Sequence, residues 1–177
     1  MTSERSAEER AAQVEVARKI ALDQLATRAR SEQELRQVMQ RRNVPADVAD
    51  EIVERFTEVG LLNDAAFAQA LTASRSEFSL RGRARIRQEL QAKGIEREIA
   101  NEVLADINPE VEREAALTLA RRRMRSMAGL QRHVARRRMA GVLARRGFPS
   151  SVVSSVLEEV LGSDWQDESV EFSTGEQ

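Results

Sequence analysis

Cysteine is absent from this chain of 177 residues. No disulfide can form and no thiolate can hold a metal, so a reducing compartment is the expected setting. Tyrosine is also absent, and aromatic residues of all kinds make up only 3%. The core must therefore be aliphatic, and few rings are left for stacking on nucleobases. There is one histidine, His133, and it stands among arginines. The usual acid, base and nucleophile combinations are thus missing, and no catalytic residue is expected. Carboxylate pairs such as Glu32 with Glu34, or Glu158 with Glu159, fall on exposed helix positions or in the tail. They do not form the dry cluster that a metal needs, so neither metal nor cofactor is expected. No Gly-rich loop runs into a helix with a GK[ST] ending, which leaves nucleotide hydrolysis unsupported. No apolar run approaches the roughly 20 residues of a membrane span. The opening MTSERSAEER is too charged for a signal peptide. These absences describe a soluble, cytoplasmic, non-enzymatic protein with no membrane partner.

Helix formers dominate what is present, and one pattern occurs three times. With Met39, Leu90 and Leu143 set in register, Leu35, Ile86 and Met139 align four residues earlier. Val44, Ile95 and Phe148 align five residues later. Columns follow at Val48, Ile99 and Val152, at Ile52, Val103 and Val156, and at Val53, Leu104 and Leu157. Asn43, Gly94 and Gly147 share the turn position, with offsets of 51 and 53 residues throughout. The expected fold is all-α: an elongated tandem array of three three-helix repeats, about nine helices, without a sheet.

Punctuation places the helices. Ser31 with Glu34 makes a capping box, and Asn108-Pro109 offers an N-cap followed by an N1 proline. Gly94 and Gly147, with Asn43 in their role, mark left-handed helix stops; Pro45 and Pro149 follow two residues later. Repeat 1 (12–60) is predicted to hold helices at about 12–29, 32–42 and 46–59. Repeat 2 (61–108) holds 64–77, 82–93 and 97–107, and repeat 3 (109–162) holds 110–127, 131–146 and 150–161. Residues 1–11 and the acidic tail 163–177, with Trp165 and Phe172, lack periodicity and are expected to be disordered.

A formal net charge of −1 conceals segregation. Residues 1–56 carry 10 basic and 11 acidic side chains, residues 115–149 carry 10 arginines and no acid, and residues 158–177 carry seven acids and no base. An acid-free arginine block has no local partner to neutralise it, which points to polyanion binding. With Ile86 turned to the core at 100° per residue, Arg81 and Arg85 face away from it, accompanied by Arg83 and Arg87. The same rule puts Arg138 and Arg145 on the matching face of the third repeat, beside Arg137. Arg121, Arg122 and Arg125 form a second source on the helix before; Arg123 completes a run of three that cannot all face one way. These are the candidate DNA-binding residues. The position matching Arg85 and Arg138 in repeat 1 is Glu34, which interrupts the ridge. Aromatics barely interleave with these arginines, so phosphate contact without sequence preference is the expected mode, on single- or double-stranded DNA.

Three stretches resemble the RecX family. Gly60-Leu61-Leu62-Asn63-Asp64-Ala65-Ala66-Phe67-Ala68 is similar to its hallmark segment. Arg85-Ile86-Arg87-Gln88-Glu89-Leu90-Gln91-Ala92-Lys93-Gly94-Ile95 matches its second-repeat signature, and Leu143-Ala144-Arg145-Arg146-Gly147-Phe148 its third. The resemblance covers roughly 15–160 in family order; Asn63 stands where the family often has an acid, and the long acidic tail is not a general family feature. It implies a non-enzymatic regulator of the RecA recombinase in homologous recombination, DNA repair and the SOS response. Such a protein binds the RecA–DNA filament along its groove and inhibits strand exchange, ATP hydrolysis and coprotease activity. A monomer is expected. The alternatives are a sequence-independent helical DNA-binding protein, a helix-turn-helix transcription regulator, whose affinity would vary with DNA sequence, and a protein scaffold that binds no DNA.

Overall fold

The computed structural model describes residues 2–162, with side chains from residue 7 onward. The expected acidic tail lies outside the described residues. Among those described there are nine α-helices and no strand. They are α1 (Thr2–Thr27), α2 (Glu32–Arg41), α3 (Ala46–Glu58), α4 (Asp64–Glu77), α5 (Arg83–Ala92), α6 (Arg97–Ala105), α7 (Pro109–Met124), α8 (Arg132–Arg145) and α9 (Ser150–Val160). A 3-10 turn, Arg125–Met127, follows α7.

The repeat is visible in hydrogen bonds. After α2, α5 and α8 the chain turns left-handed at Asn43 (φ 59°), Gly94 (φ 75°) and Gly147 (φ 86°). In each case the amide just past the left-handed residue reaches back to the same column. Val44 N–H donates to Met39 O (3.1 Å), Ile95 to Leu90 (3.0 Å) and Phe148 to Leu143 (3.3 Å). These are Schellman caps, and they leave Val44, Ile95 and Phe148 positioned over the helix just ended. Ser31 and Asn108 cap α2 and α7, accepting from Glu34 N (3.2 Å) and Glu110 N (2.8 Å), but the Glu34 carboxylate that a capping box turns back on the Ser31 amide pairs with Arg28 and Lys93 instead. Asn63 caps α4 by accepting from Ala66 N at 2.8 Å. An acid at that position is therefore dispensable.

The N-terminus differs from expectation. The chain is helical from Thr2, not from about residue 12, and the helix stops at Thr27. Residues 7–13 are Ala, Glu, Arg and Gln, good helix formers that need no apolar stripe of their own. Arg10 of α1 is paired with Asp47 and Glu51 of α3, which ties the polar turn down. At the other end Arg28 leaves the helix to hold Glu34 at 2.9 and 3.0 Å.

Backbone contacts divide the chain into two compact units, Met1–Ala73 with Arg87–Asp106, and Ser74–Ile86 with Ile107–Gln177. The second repeat contributes to both. The first unit is built on Ala17, Ala21, Leu35, Met39, Val48, Ile52, Val53, Phe56 and Leu62. The second is built on Leu80, Leu117, Leu119, Met127, Met139, Leu143, Phe148, Val156, Leu157 and Leu161, with alanines of α7 allowing close approach. Each fully buried leucine stabilises its unit by about 1.5–3 kcal/mol relative to exposure.

One ionic knot in the first unit has a measurable consequence. Glu34 is nearly buried and held by Arg28 and Lys93, while Ser31 Oγ donates to Lys93 O at 2.6 Å. Burial alone would raise the Glu34 carboxyl, but the hydrogen bonds and charges of Arg28 and Lys93 outweigh it and lower it to about 2. A depressed carboxylate stabilises the fold above its ordinary pKa of 4.5 and ceases to as pH falls through 2. Glu34→Gln is expected to cost about 1–3 kcal/mol near neutral pH, the partial exposure of both cations keeping the figure modest. Thermal melts should show the gap between the two proteins closing between pH 4.5 and 2. A gap that does not change with pH would mean that the charge on Glu34 contributes nothing.

Candidate nucleic-acid interface

The two units treat their cations differently. In the first, most basic side chains are neutralised in place, although Arg41, Arg42, Arg87 and Arg97 have no acidic partner among the described residues: Arg10 is held by Asp47 and Glu51, Arg18 by Glu15, and Lys19 by Asp23. Arg36 is held by Glu32 and Asp50, Arg55 by Glu51, and Arg28 and Lys93 by Glu34. In the second, Arg83 meets Glu112, while Arg113 and Arg121 share Glu159. Among the described residues, Arg122, Arg123, Arg125, Arg136, Arg137, Arg138 and Arg145 have no acidic partner. A surface of this kind attracts polyanions.

Within the second unit, sequence-distant arginines converge on an open depression of about 600 Å³. One side is the corner after α4, from Phe78 to Arg81. The other is Leu119, Arg122 and Arg123 of α7 with Arg125 and Ser126 of the turn beyond it; Arg146 closes the end. Burial lowers the Arg81 guanidinium from its ordinary value, and the neighbouring charges of Arg75, Arg85 and Arg146 lower it further. Cations are thus crowded here.

Backbone geometry fixes that corner. Gly82 and Gly147 lie back to back: a Cβ on Gly82 would sit 2.3 Å from Gly147 O, and one on Gly147 2.3 Å from Arg85 N. Gly82 N–H donates to Arg146 O (2.9 Å) and Ala84 N–H to Gly147 O (3.2 Å). The C-terminal turn of α8 is thereby clamped on the N-terminus of α5. In the first unit the Gly94 turn meets the start of α2 in the same way, against Gln33.

The sequence-predicted arginines sort into groups. Arg81, Arg122 and Arg125 line the depression. Arg85 is exposed close to it, near enough for its charge to act on Arg81. Arg137 lines a separate groove between α8 and α9, with Arg136 and His133. Arg138 and Arg145 are exposed on α8, and Arg87 on the part of α5 that belongs to the first unit. Two are engaged elsewhere. Arg121 is paired with Glu159 at 3.2 Å. Arg83 is half-buried, its Nε donating to Glu112 Oε2 at 2.8 Å and its backbone N–H to Oε1 at 2.9 Å. Periodicity around Ile86 gave no sign of Glu112, an acid 29 residues further on. Sequence reasoning also passed over Arg146, which donates to Ser79 O at 2.8 Å, and Phe78, which lines the depression together with arginines more than 40 residues away in sequence.

Known proteins resemble this chain along most of its length. Models of the first, second and third three-helix domains of RecX match residues 17–56, 63–104 and 110–157. The regulatory protein RecX of Streptomyces coelicolor is 36% identical over 154 residues, 87% of this chain and 82% of the relative. That of Mycolicibacterium smegmatis is 34% identical over 85% of this chain and 82% of its own. A crystal structure of a regulatory protein RecX superposes with a TM-score of 0.81 at 25% identity, covering 88% of this chain and 77% of that one. RecX from Lactobacillus salivarius shares the fold, with a TM-score of 0.78 at 21% identity over 85% and 97% of the two chains.

Proposed function

The chain belongs to the RecX family of regulatory proteins, which are not enzymes, and on that premise we propose that it regulates the RecA recombinase. In this reading it binds RecA and the RecA–DNA filament and lowers strand exchange, ATP turnover and coprotease activity. Its setting is the cytoplasm, in recombinational repair and the SOS response; among the described residues no helix is long and apolar enough to cross a membrane.

One observation carries the DNA half of the proposal: Arg122, Arg123 and Arg125 of the second unit line one depression and lack acidic partners among the described residues, while most cations of the first unit are paired with acids. Phosphates take the place of the missing carboxylates, held mainly by Arg122, Arg123 and Arg125. Arg81 and Arg85 add their charge beside them, and Arg137, Arg138 and Arg145 extend the surface along α8. Arg83 and Arg121 are left to their structural pairs. The first unit offers a different surface, with Val59 and Leu61 exposed either side of Gly60 and Val16 and Leu22 exposed on α1. Locally apolar, it suits a protein partner.

Phosphate recognition of this kind ignores base order. Two unrelated duplexes of equal length should bind within about threefold of one another, with log affinity falling linearly against log salt. A helix-turn-helix regulator would instead separate its operator from other DNA by roughly a thousandfold or more. Discrimination of that size in a fluorescence anisotropy titration would replace the proposal with the transcription-factor reading. Absence of binding even at low salt would leave a protein scaffold.

A further inference from the structure

We infer that the depression in the second unit is a single-strand site, in which one unstacked nucleobase lies on the Phe78 ring while Arg122, Arg123 and Arg125 hold its flanking phosphates. The inference rests on the nucleic-acid reading above and goes further, by naming the strandedness of the ligand and an aromatic contact.

Phe78 is the observation that asks for an explanation. It is 82% exposed, more than any other large apolar side chain described, in a chain with very few aromatics. Phe56 and Phe148 are buried. Nor does the ring sit on a loose loop. Phe78 N–H donates to Ser74 O at 3.1 Å, continuing α4 by a turn. Arg146 holds Ser79 O, Arg81 N–H donates to Arg75 O at 3.1 Å, and Gly82 is clamped to the end of α8. Between them Leu80 takes a left-handed φ of 49° and buries its side chain in the core of the second unit. That conformation is unfavourable for an L residue with a Cβ and persists only where the surroundings enforce it, which is a frequent mark of a functional corner. The strain turns the chain sharply between a buried Leu80 and an exposed Phe78.

Across the depression stand Arg122, Arg123 and Arg125, without acidic partners among the described residues. Phe78 and these arginines therefore line one concavity of about 600 Å³, within the range of small-ligand sites. An exposed apolar ring in an arginine-lined depression is poorly matched to an aliphatic protein face. It suits a ligand that is flat and apolar on one surface and anionic along its edge, as a nucleotide is. A base in a duplex has both faces covered by its neighbours, so only a single strand can present one to Phe78. An acidic protein segment would use the arginines and leave the ring idle.

The test uses the full chain and its Phe78→Ala variant, with a thymidine 15-mer and a duplex of the same length as probes in anisotropy titrations. Phe78→Ala should weaken single-strand binding roughly 5- to 100-fold, the range of one base–aromatic stack. Duplex binding should change less than about twofold, and the salt slope should not change, because every phosphate keeps its arginine. Phe78→Trp should restore the single-strand affinity. A 15-mer of abasic residues should bind the unaltered chain as weakly as Phe78→Ala binds thymidine, and the substitution should cost nothing further on it. Equal losses on single strand and duplex, or no loss on either, would overturn the stacking contact. So would a Phe78→Ala variant that binds thymidine normally but loses affinity for poly-glutamate. No binding of either nucleic acid by the unaltered chain would overturn the nucleic-acid reading itself, and is thus distinguishable from failure of the stack.

Discussion

Arg83→Ala should destabilise the second unit by about 3–5 kcal/mol, the loss typical of stripping the partner from a buried charge. Glu112 is only 3% exposed, and its two oxygens are taken by the Nε and the backbone N–H of Arg83. The backbone half of that bond caps the start of α5, where a carboxylate also complements the helix dipole. Removing the guanidinium leaves Glu112 with the backbone bond alone and no countercharge. The reverse change is milder. Glu112→Leu leaves Arg83 about a third exposed and able to hydrate, so its cost comes mainly from the missing cap. Combining the two should recover part of the loss, since an apolar residue no longer needs the guanidinium. Urea unfolding of the three variants checks this. Additive effects would show that the pair is not coupled, and an Arg83→Ala protein as stable as its parent would return Arg83 to the pool of DNA-binding arginines.

Replacing Arg122, Arg123 and Arg125 together by alanine is expected to reduce DNA affinity on the order of a hundredfold at roughly 0.1 M salt. The slope of log affinity against log salt should become shallower by about 2–3 units, close to 0.9 for each duplex phosphate no longer neutralised and 0.7 for each single-strand one. Stability should hardly change, because the three side chains lack acidic partners among the described residues and lie outside the core. A control pair from the first unit, Arg18 and Arg55 to alanine, removes two cations already neutralised by Glu15 and Glu51. Affinity and slope should stay at their original values. A triple variant with an unchanged slope would move phosphate binding to the arginines of α8.

The helices were legible because their signals are local. Asn43, Gly94 and Gly147 fall where three caps of the same hydrogen-bond pattern form, and the columns anchored on Met39, Leu90 and Leu143 fill mostly with buried side chains. Capping and periodicity act within a few residues, so they can be read from spacing. The exception at the N-terminus follows the same logic: residues 7–13 have helix-forming composition without periodicity, and their anchor, Arg10 on Asp47 and Glu51, is a long-range ion pair. The site was legible only in outline. An acid-free run between residues 115 and 149 marks the surface, but not which arginines remain available. Glu112 engages Arg83 and Glu159 engages Arg121 across loops whose closure no pattern announces. The same holds for Phe78, which stands more than 40 residues before Arg122 in the chain and which the fold sets across a depression from it.

The central claim is regulation of the recombinase through its filament, with the second unit on DNA. It is tested most directly by following ATP turnover of RecA on single-stranded DNA while this chain is titrated in, beside its Arg122, Arg123 and Arg125 triple variant. The account predicts that turnover falls well before one chain is present per recombinase subunit, and that the triple variant needs far more protein for the same effect. ATP turnover that stays constant through a full equivalent of the unaltered chain would contradict it.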